Sequence, residues 1–160
     1  MTTAEYNSCV GSYSDGVYRF ILKNIKDDER ARDIVQDSFF KMWEKSKDIS
    51  FEKAKSYLFT TAYHTMIDDI RRHKRTTNLE EANTDLTVNH SYNDLQQVLN
   101  LALTTLPEIQ RAVITLRDYE GYSYEEIGKI TGLNESQVKV YIYRARLSLK
   151  NYIGSLDRVL

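Results

Sequence analysis

One proline, six glycines and one cysteine in 160 residues leave little material for turns or cross-links. So few breakers exclude a loop-rich β protein and favour long helices. The lone Cys9 excludes an intramolecular disulfide and points to a reducing cytoplasm. It reads either as a reactive thiol or as a small buried or surface residue. No run approaches the roughly 18–20 apolar residues of a membrane span, so no membrane insertion is expected. Met1 to Cys9 has neither a basic start nor an apolar stretch, and is not a secretory signal. A strong excess of either charge is also missing. The net charge is −1 and the pI about 6.3, which argues against an autonomous nucleic-acid binder.

What is present becomes visible when the charge is divided along the chain. Residues 1–75 carry 14 Lys/Arg against 12 Asp/Glu, and residues 95–160 carry 8 against 7. Residues 76–94 between them hold four acids (Glu80, Glu81, Asp85 and Asp94) and no Lys or Arg. Within that strip, Thr76 to Asn93 is rich in Thr and Asn and has no helical apolar period. It is expected to be a flexible acidic linker. Its 18 residues reach about 60 Å when extended and roughly 23 Å root-mean-square as a coil, enough for two domains set well apart.

The flanking halves are patterned for helices, with apolar residues at three- and four-residue steps. Before the linker, helices are predicted over about 5–25, 28–45 and 52–75, the last ending in Arg71, Arg72, His73, Lys74 and Arg75. After it, a helix is predicted from Leu95 to Leu106, and another from Pro107 to about Glu120, stopping at Gly121. Ser123 and Glu126 form a capping box opening a short helix that ends at Gly132. Asn134 and Gln137 open a final helix to about Ile153 in the same way. The expected fold is all-α, in two small helical domains: 1–75 and 95–160, joined by 76–94.

The last two helices read as a helix-turn-helix, with Gly132 ending the first and Leu133 as the apolar plug of the turn. Gly128 inside the first helix is expected to admit a close approach by the second. On the final helix Val138, Ile142, Ala145 and Leu149 form the core stripe. Ser136, Gln137, Lys139, Val140, Tyr143 and Arg144 point away from it, concentrated in the turns that would enter a major groove. Arg144 suits a guanine edge or a phosphate, Gln137 an adenine, Lys139 and Arg146 phosphates, and Tyr143 a thymine methyl or the backbone. The other reading is a packed hairpin with a solvated basic face.

In the first domain, Tyr57 to His64 (YLFTTAYH) places aromatics early on a helix that ends in cations. Rings that stack bases beside cations that hold phosphates suit single-stranded DNA. Tyr57, Phe59 and Tyr63 read equally as partly core, and the basic tail as a solvated end that complements the helix dipole. Upstream, Phe40 and Trp43 stand among polar residues, as interface anchors or as core. His64, His73 and His90 form no metal-ligand pattern, and no nucleophile, phosphate loop or carboxylate pair emerges. An enzyme, a cofactor, a metal and a small-molecule substrate are therefore not expected.

The combination resembles the extracytoplasmic-function (ECF) sigma factors of the sigma-70 family. Asp28 to Glu44 (DERARDIVQDSFFKMWE) resembles their regions 2.1–2.2. Tyr57 to Ala62, Ile67-Asp68 and Arg71-Arg72 resemble regions 2.3–2.4. Leu106 to Arg111 (LPEIQR), Glu120 to Gly128 (EGYSYEEIG) and Val138 to Arg146 (VKVYIYRAR) resemble region 4. Region 1.1 and a folded region 3 have no room.

The resemblance implies a protein that binds core RNA polymerase and directs promoter recognition. Asp33, Gln36, Asp37, Phe40 and Trp43 would dock on the β′ clamp helices, and region 4 on the β flap. The loop from about Lys47 to Ser56 and the start of the next helix, with Tyr57, Thr61 and His64, would take the minus-10 element. Arg71, Arg72, Lys74 and Arg75 would hold nearby phosphates, and the final helix would read the minus-35 duplex. An anti-sigma factor is an implied partner. His64 stands where the family commonly has Asn, Tyr141 where many relatives have Arg, and Gly128 where Ala is usual. The rivals are a stand-alone helix-turn-helix regulator, which would bind palindromic DNA by itself, and an adaptor that would leave both basic helices idle.

Overall fold

The computed structural model describes residues 1–77 and 94–157, and among these there is no strand. The linker expected over 76–94 lies almost wholly outside the described residues. The N-terminal half contains α1 (Thr3–Ile25), α2 (Asp28–Glu44) and α3 (Ala54–Thr77), the last preceded by one 3₁₀ turn, Phe51–Lys53. The C-terminal half contains α4 (Asp94–Thr104), α5 (Glu108–Ile114), α6 (Tyr124–Thr131) and α7 (Glu135–Asp157).

Local chemistry sets the boundaries. Helix α1 begins earlier than its apolar pattern predicts, because Thr2 and Glu5 form a reciprocal capping box at 3.1 Å in both directions. It ends at Lys26, which takes the left-handed conformation (φ 54°) usually left to Gly or Asn. Asp27 caps α2 by accepting from the Arg30 amide at 3.1 Å. The loop into α6 turns at Gly121 (φ 75°), and α6 ends at Gly132 (φ 81°), both in the region where an L side chain is strained.

One sequence expectation changes between Pro107 and Glu120. The helix predicted there is α5 followed by a π-helical turn over Thr115–Tyr119, closed by the Glu120 amide donating to the Thr115 carbonyl at 3.2 Å. The wider turn carries Thr115 inward, where its hydroxyl donates to the Arg111 and Ala112 carbonyls at 2.7 and 3.0 Å. A π turn changes no apolar period strongly enough to be seen in one sequence.

In the N-terminal half, α1, α2 and α3 bury Val17, Phe20, Ile21, Ile34, Met42, Leu58 and Met66 between them. Arg30 pairs with Asp69, tying α2 to α3 in a partly buried setting. Cys9 is wholly buried, and burial together with Glu5 pushes its thiol pKa up, so the reactive-thiol alternative has no support. In the C-terminal half, α5 and α6 pack on α7 through Ala112, Val113, Ile127, Ile130, Val138 and Ile142.

The two halves are not set apart. They share one continuous apolar cluster, with α6 lying against α3 and the π turn against α1. The sequence between them is long enough to allow separation, but length permits distance without imposing it.

Gly128 shows how tightly the helix-turn-helix is built. A Cβ there would stand 2.8 Å from the Leu133 carbonyl oxygen, with Val138 Cγ2 at 4.0 Å. The close neighbour is thus mainly the turn, and only secondarily the second helix. Gly128→Ala gains about 1 kcal/mol of helix propensity but forces a backbone shift that costs about 1–3 kcal/mol. Thermal unfolding should therefore show a lower Tm for Gly128→Ala. Gly154→Ala, at a helical site with nothing within 4 Å of the new methyl, should raise it.

Candidate polymerase and promoter-binding surfaces

Helix α2 exposes Asp33, Gln36, Asp37, Phe40 and Trp43 together, the spacing of one helical stripe. Phe40 is 57% exposed and Trp43 46%, so the core alternative for Trp43 does not hold. Trp43 is held upright from below. The Tyr6 ring meets it edge-on at 4.9 Å, and the Tyr6 hydroxyl donates to the Phe39 carbonyl at 2.8 Å. Two rigid aromatics flanked by carboxylates make an amphipathic patch of the kind that anchors protein interfaces.

Helix α3 divides the residues predicted to meet the minus-10 element. Tyr57 and Thr61 are half-buried and His64 is exposed, while Phe59 and Tyr63 are buried, as the core reading had it for those two rings. Arg71, Arg72, Lys74 and Arg75 are all exposed. Arg71, Arg72 and Arg75 line an open groove of about 580 Å³ with Lys41, Thr65 and Asp68. Lys74 faces away from it, 3.9 Å from Glu108. Three arginines in one groove present a shape suited to successive phosphates.

On α7 the core stripe is Val138, Ile142 and Ala145, with Leu149 half-buried. Ser136, Gln137, Lys139, Val140, Tyr143, Arg144 and Arg146 are all exposed, as the pattern predicts. Tyr143 is 69% exposed. The structure separates these residues by what already holds them. Gln137 donates its amide to Asn134 Oδ1 at 2.8 Å and accepts the Asn134 amide through Oε1 at 3.0 Å, so its carbonyl oxygen serves the cap. Paired contacts to an adenine would have to share that oxygen, through its second lone pair, with the Asn134 amide. Lys139 lies 3.5 Å from Glu135, and Arg146 is paired with Asp118 at 2.6 Å. Among the described residues Arg144 has no hydrogen-bond or ion-pair partner, and it is exposed.

Sequence reasoning missed the residues joining the halves. Glu120, only 6% exposed at its side chain, accepts Arg19 through both oxygens at 2.7 and 2.8 Å. Asn24 Nδ2 donates to Phe20 O at 2.8 Å and to Thr115 Oγ1 at 3.0 Å. Tyr122 packs edge-on against Phe59 at 5.0 Å, and burial drives its phenol pKa far above the ordinary value. Lys23 lies 4.2 Å over the Tyr119 ring and Lys55 4.8 Å over Tyr122. The pairs that join the halves are 63 to 101 positions apart, and nothing in a single sequence links them.

Family comparison now decides between the readings. The profile described as Sigma-70 region 2 matches residues 9–76, and that described as Sigma-70, region 4 matches residues 96–149. The chain belongs to the sigma-70 family, as a sigma factor of the ECF type. The ECF RNA polymerase sigma factor SigM of Bacillus subtilis is 28% identical over 145 residues, 86% of this chain and 88% of that protein. The RNA polymerase sigma factor SigV of the same organism is 29% identical over 146 residues, 90% and 88% of the two chains.

Two solved structures share the fold. The sigma factor RpoE of Bartonella quintana, crystallised with the anti-sigma factor NepR, gives a TM-score of 0.78 at 24% identity, covering 93% of this chain and 96% of that one. CnrH, in complex with the cytosolic domain of CnrY, gives 0.72 at 23%, covering 94% and 88%. Among the described residues of this sigma factor, no helix is long and apolar enough to cross a membrane, and no His/Cys/Asp/Glu group is arranged to hold a metal ion.

The Asp118–Arg146 pair gives a direct test of which cations are free for DNA. Both side chains are about half exposed, so the pair contributes no more than about 1 kcal/mol to stability. Asp118→Asn should leave the Tm within a degree or two in a thermal melt. It should also strengthen retention of the chain on heparin, because Arg146 is released.

Proposed function

We propose that this sigma factor works as a detachable specificity subunit: α2 docks on core RNA polymerase, α3 receives the minus-10 element, and α7 reads the minus-35 duplex. What carries this reading is the coexistence, in one chain, of an exposed aromatic and acidic stripe on α2 with exposed basic faces on α3 and α7. A stand-alone regulator has no use for the first, and an adaptor none for the other two.

In this reading the stripe of Asp33, Gln36, Asp37, Phe40 and Trp43 meets the β′ clamp helices, and the C-terminal half meets the β flap. Tyr57, Thr61 and His64, with the loop before α3, take the minus-10 bases. Arg71, Arg72, Lys74 and Arg75 hold the backbone beside them. Ser136, Val140, Tyr143 and Arg144 face the minus-35 groove, with Lys139 and Arg146 at its phosphates and Gln137 holding the start of the helix. The division of the chain into 1–75, 76–94 and 95–160 follows the same roles. The chain positions polymerase and catalyses nothing itself, without cofactor, metal or small-molecule substrate. Its place of action is the cytoplasm, and a protein of the anti-sigma kind, as in the complex of the Bartonella quintana relative, is its natural controller.

Charge supports the dependence on polymerase. With excesses of only two and one positive charges, the two halves gain little from counterion release. Held on one enzyme, each raises the effective concentration of the other at its DNA site.

The test is run-off transcription with core polymerase on genomic promoter fragments, alongside a core-binding assay. The wild-type chain should bind core and start transcripts; failure to bind core would overturn the proposal. Phe40→Ala with Trp43→Ala should weaken core binding more than tenfold, the loss expected of buried aromatic anchors, while leaving the thermal melt cooperative. Arg144→Ala should keep core binding and lose about tenfold of minus-35-dependent initiation, the scale of one good base contact.

A further inference from the structure

A small cavity of about 210 Å³ lies where the end of α1, the start of α2, the last turns of α3 and helix α5 meet. Asn24, Lys26, Arg30, His73, Lys74 and Arg111 stand around it. Four of these are Lys or Arg, and no described Asp or Glu lines it. At roughly 30 Å³ of liquid per water molecule, the space suits one tetrahedral oxyanion with a few waters.

The four cations are not equally answered. Arg30 is paired with Asp69, and Lys74 lies 3.9 Å from Glu108. Lys26 Nζ donates only to a neutral acceptor, the Asn100 carbonyl. The half-buried Arg111 guanidinium has no hydrogen-bond or ion-pair partner among the described residues, and its Nε is withdrawn from water. A guanidinium carries five N–H donors, and a cation taken out of water without an acceptor is costly. Burial pulls the pKa of Arg111 below its ordinary value, against the opposing pull of Glu108. Burial, helped by Arg111 and Lys23, does the same to Lys26. Lys26 also holds a left-handed backbone (φ 54°) in which Gly would be unstrained, so a strained residue borders the same cavity.

We propose that this cavity is a binding site for inorganic phosphate, taken as the hydrogen phosphate dianion between Arg111 and Lys26. The site goes beyond the promoter reading above and does not depend on it. Two negative charges match the two cations that lack a bonded counter-charge. The tetrahedral oxygens can accept the guanidinium fork in pairs.

Asn24 selects among dianions. It is 4% exposed, its Nδ2 is committed to Phe20 O and Thr115 Oγ1, and its Oδ1 has no donor. The hydrogen phosphate dianion carries one hydroxyl to give to that oxygen. Sulfate and the dianion of a phosphate monoester carry none. The groove of Arg71, Arg72 and Arg75 differs in kind, because Asp37 and Asp68 line it too and oppose a small, doubly charged ligand.

The experiment is isothermal titration calorimetry of the full-length chain with sodium phosphate, at mildly alkaline pH, where the dianion dominates, and at constant ionic strength. Sodium sulfate and glycerol 3-phosphate are the comparison ligands. Phosphate should bind at one site, and the other two at least about tenfold more weakly, the scale of one charge-assisted hydrogen bond. In NMR spectra of the same protein the Arg111 Nε–H signal should move as phosphate is added, which locates the anion.

Lys26→Gly removes one cation and suits the left-handed backbone, so its thermal melt should stay cooperative while phosphate affinity falls about tenfold. Arg111→Met should abolish binding; if that variant does not fold, Lys26→Gly decides. No binding of phosphate, or equal binding of phosphate and either comparison ligand, would overturn the site. So would an affinity unchanged in Lys26→Gly, or one lost instead in Arg72→Ala, which would move the anion to the open groove.

Discussion

Helix α3 is packed on from two sides, and the arrangement of the whole chain follows from that. Ala54, Leu58, Met66 and Ile70 belong to the stripe that meets α1 and α2, while Phe59 and Tyr63 widen the apolar arc toward the C-terminal half. An arc wider than one bundle needs must be covered by something else. Tyr122 covers Phe59, and Glu120 pairs with Arg19 across the same junction. The same helix carries the residues proposed to meet single-stranded DNA. Packing and the proposed recognition thus fall on different faces of one helix, with Phe59 and Tyr63 buried and His64 exposed.

Much of the fold was legible in the sequence because each helix advertises itself locally. The stripe of α7, the cap at Asn134 and Gln137, and the stop at Gly132 are short-range features, and the structure reproduces them. The exposed face of α2 was half legible. Its spacing marked one stripe, but only coordinates show Tyr6 propping Trp43 outward and remove the core alternative.

The rest was hidden for identifiable reasons. The π turn at Thr115–Tyr119 leaves the apolar period almost unchanged, so the sequence does not announce it. The contact between the halves depends on pairs such as Arg19–Glu120 that no periodicity connects. The α7 residues assigned to DNA are exposed, yet the pattern could not say that Gln137 bonds within its cap or that Arg146 is held by Asp118.

Neither half has the positive excess to hold DNA on its own. In the proposed reading, promoter recognition is therefore conditional on the enzyme that receives the chain. The most direct test of that claim is hydroxyl-radical footprinting of one promoter at physiological salt, with the free chain and with the chain bound to core polymerase. The free chain should protect neither element, and the complex should protect two patches about 25 base pairs apart. Protection of either element by the free chain alone would contradict the account.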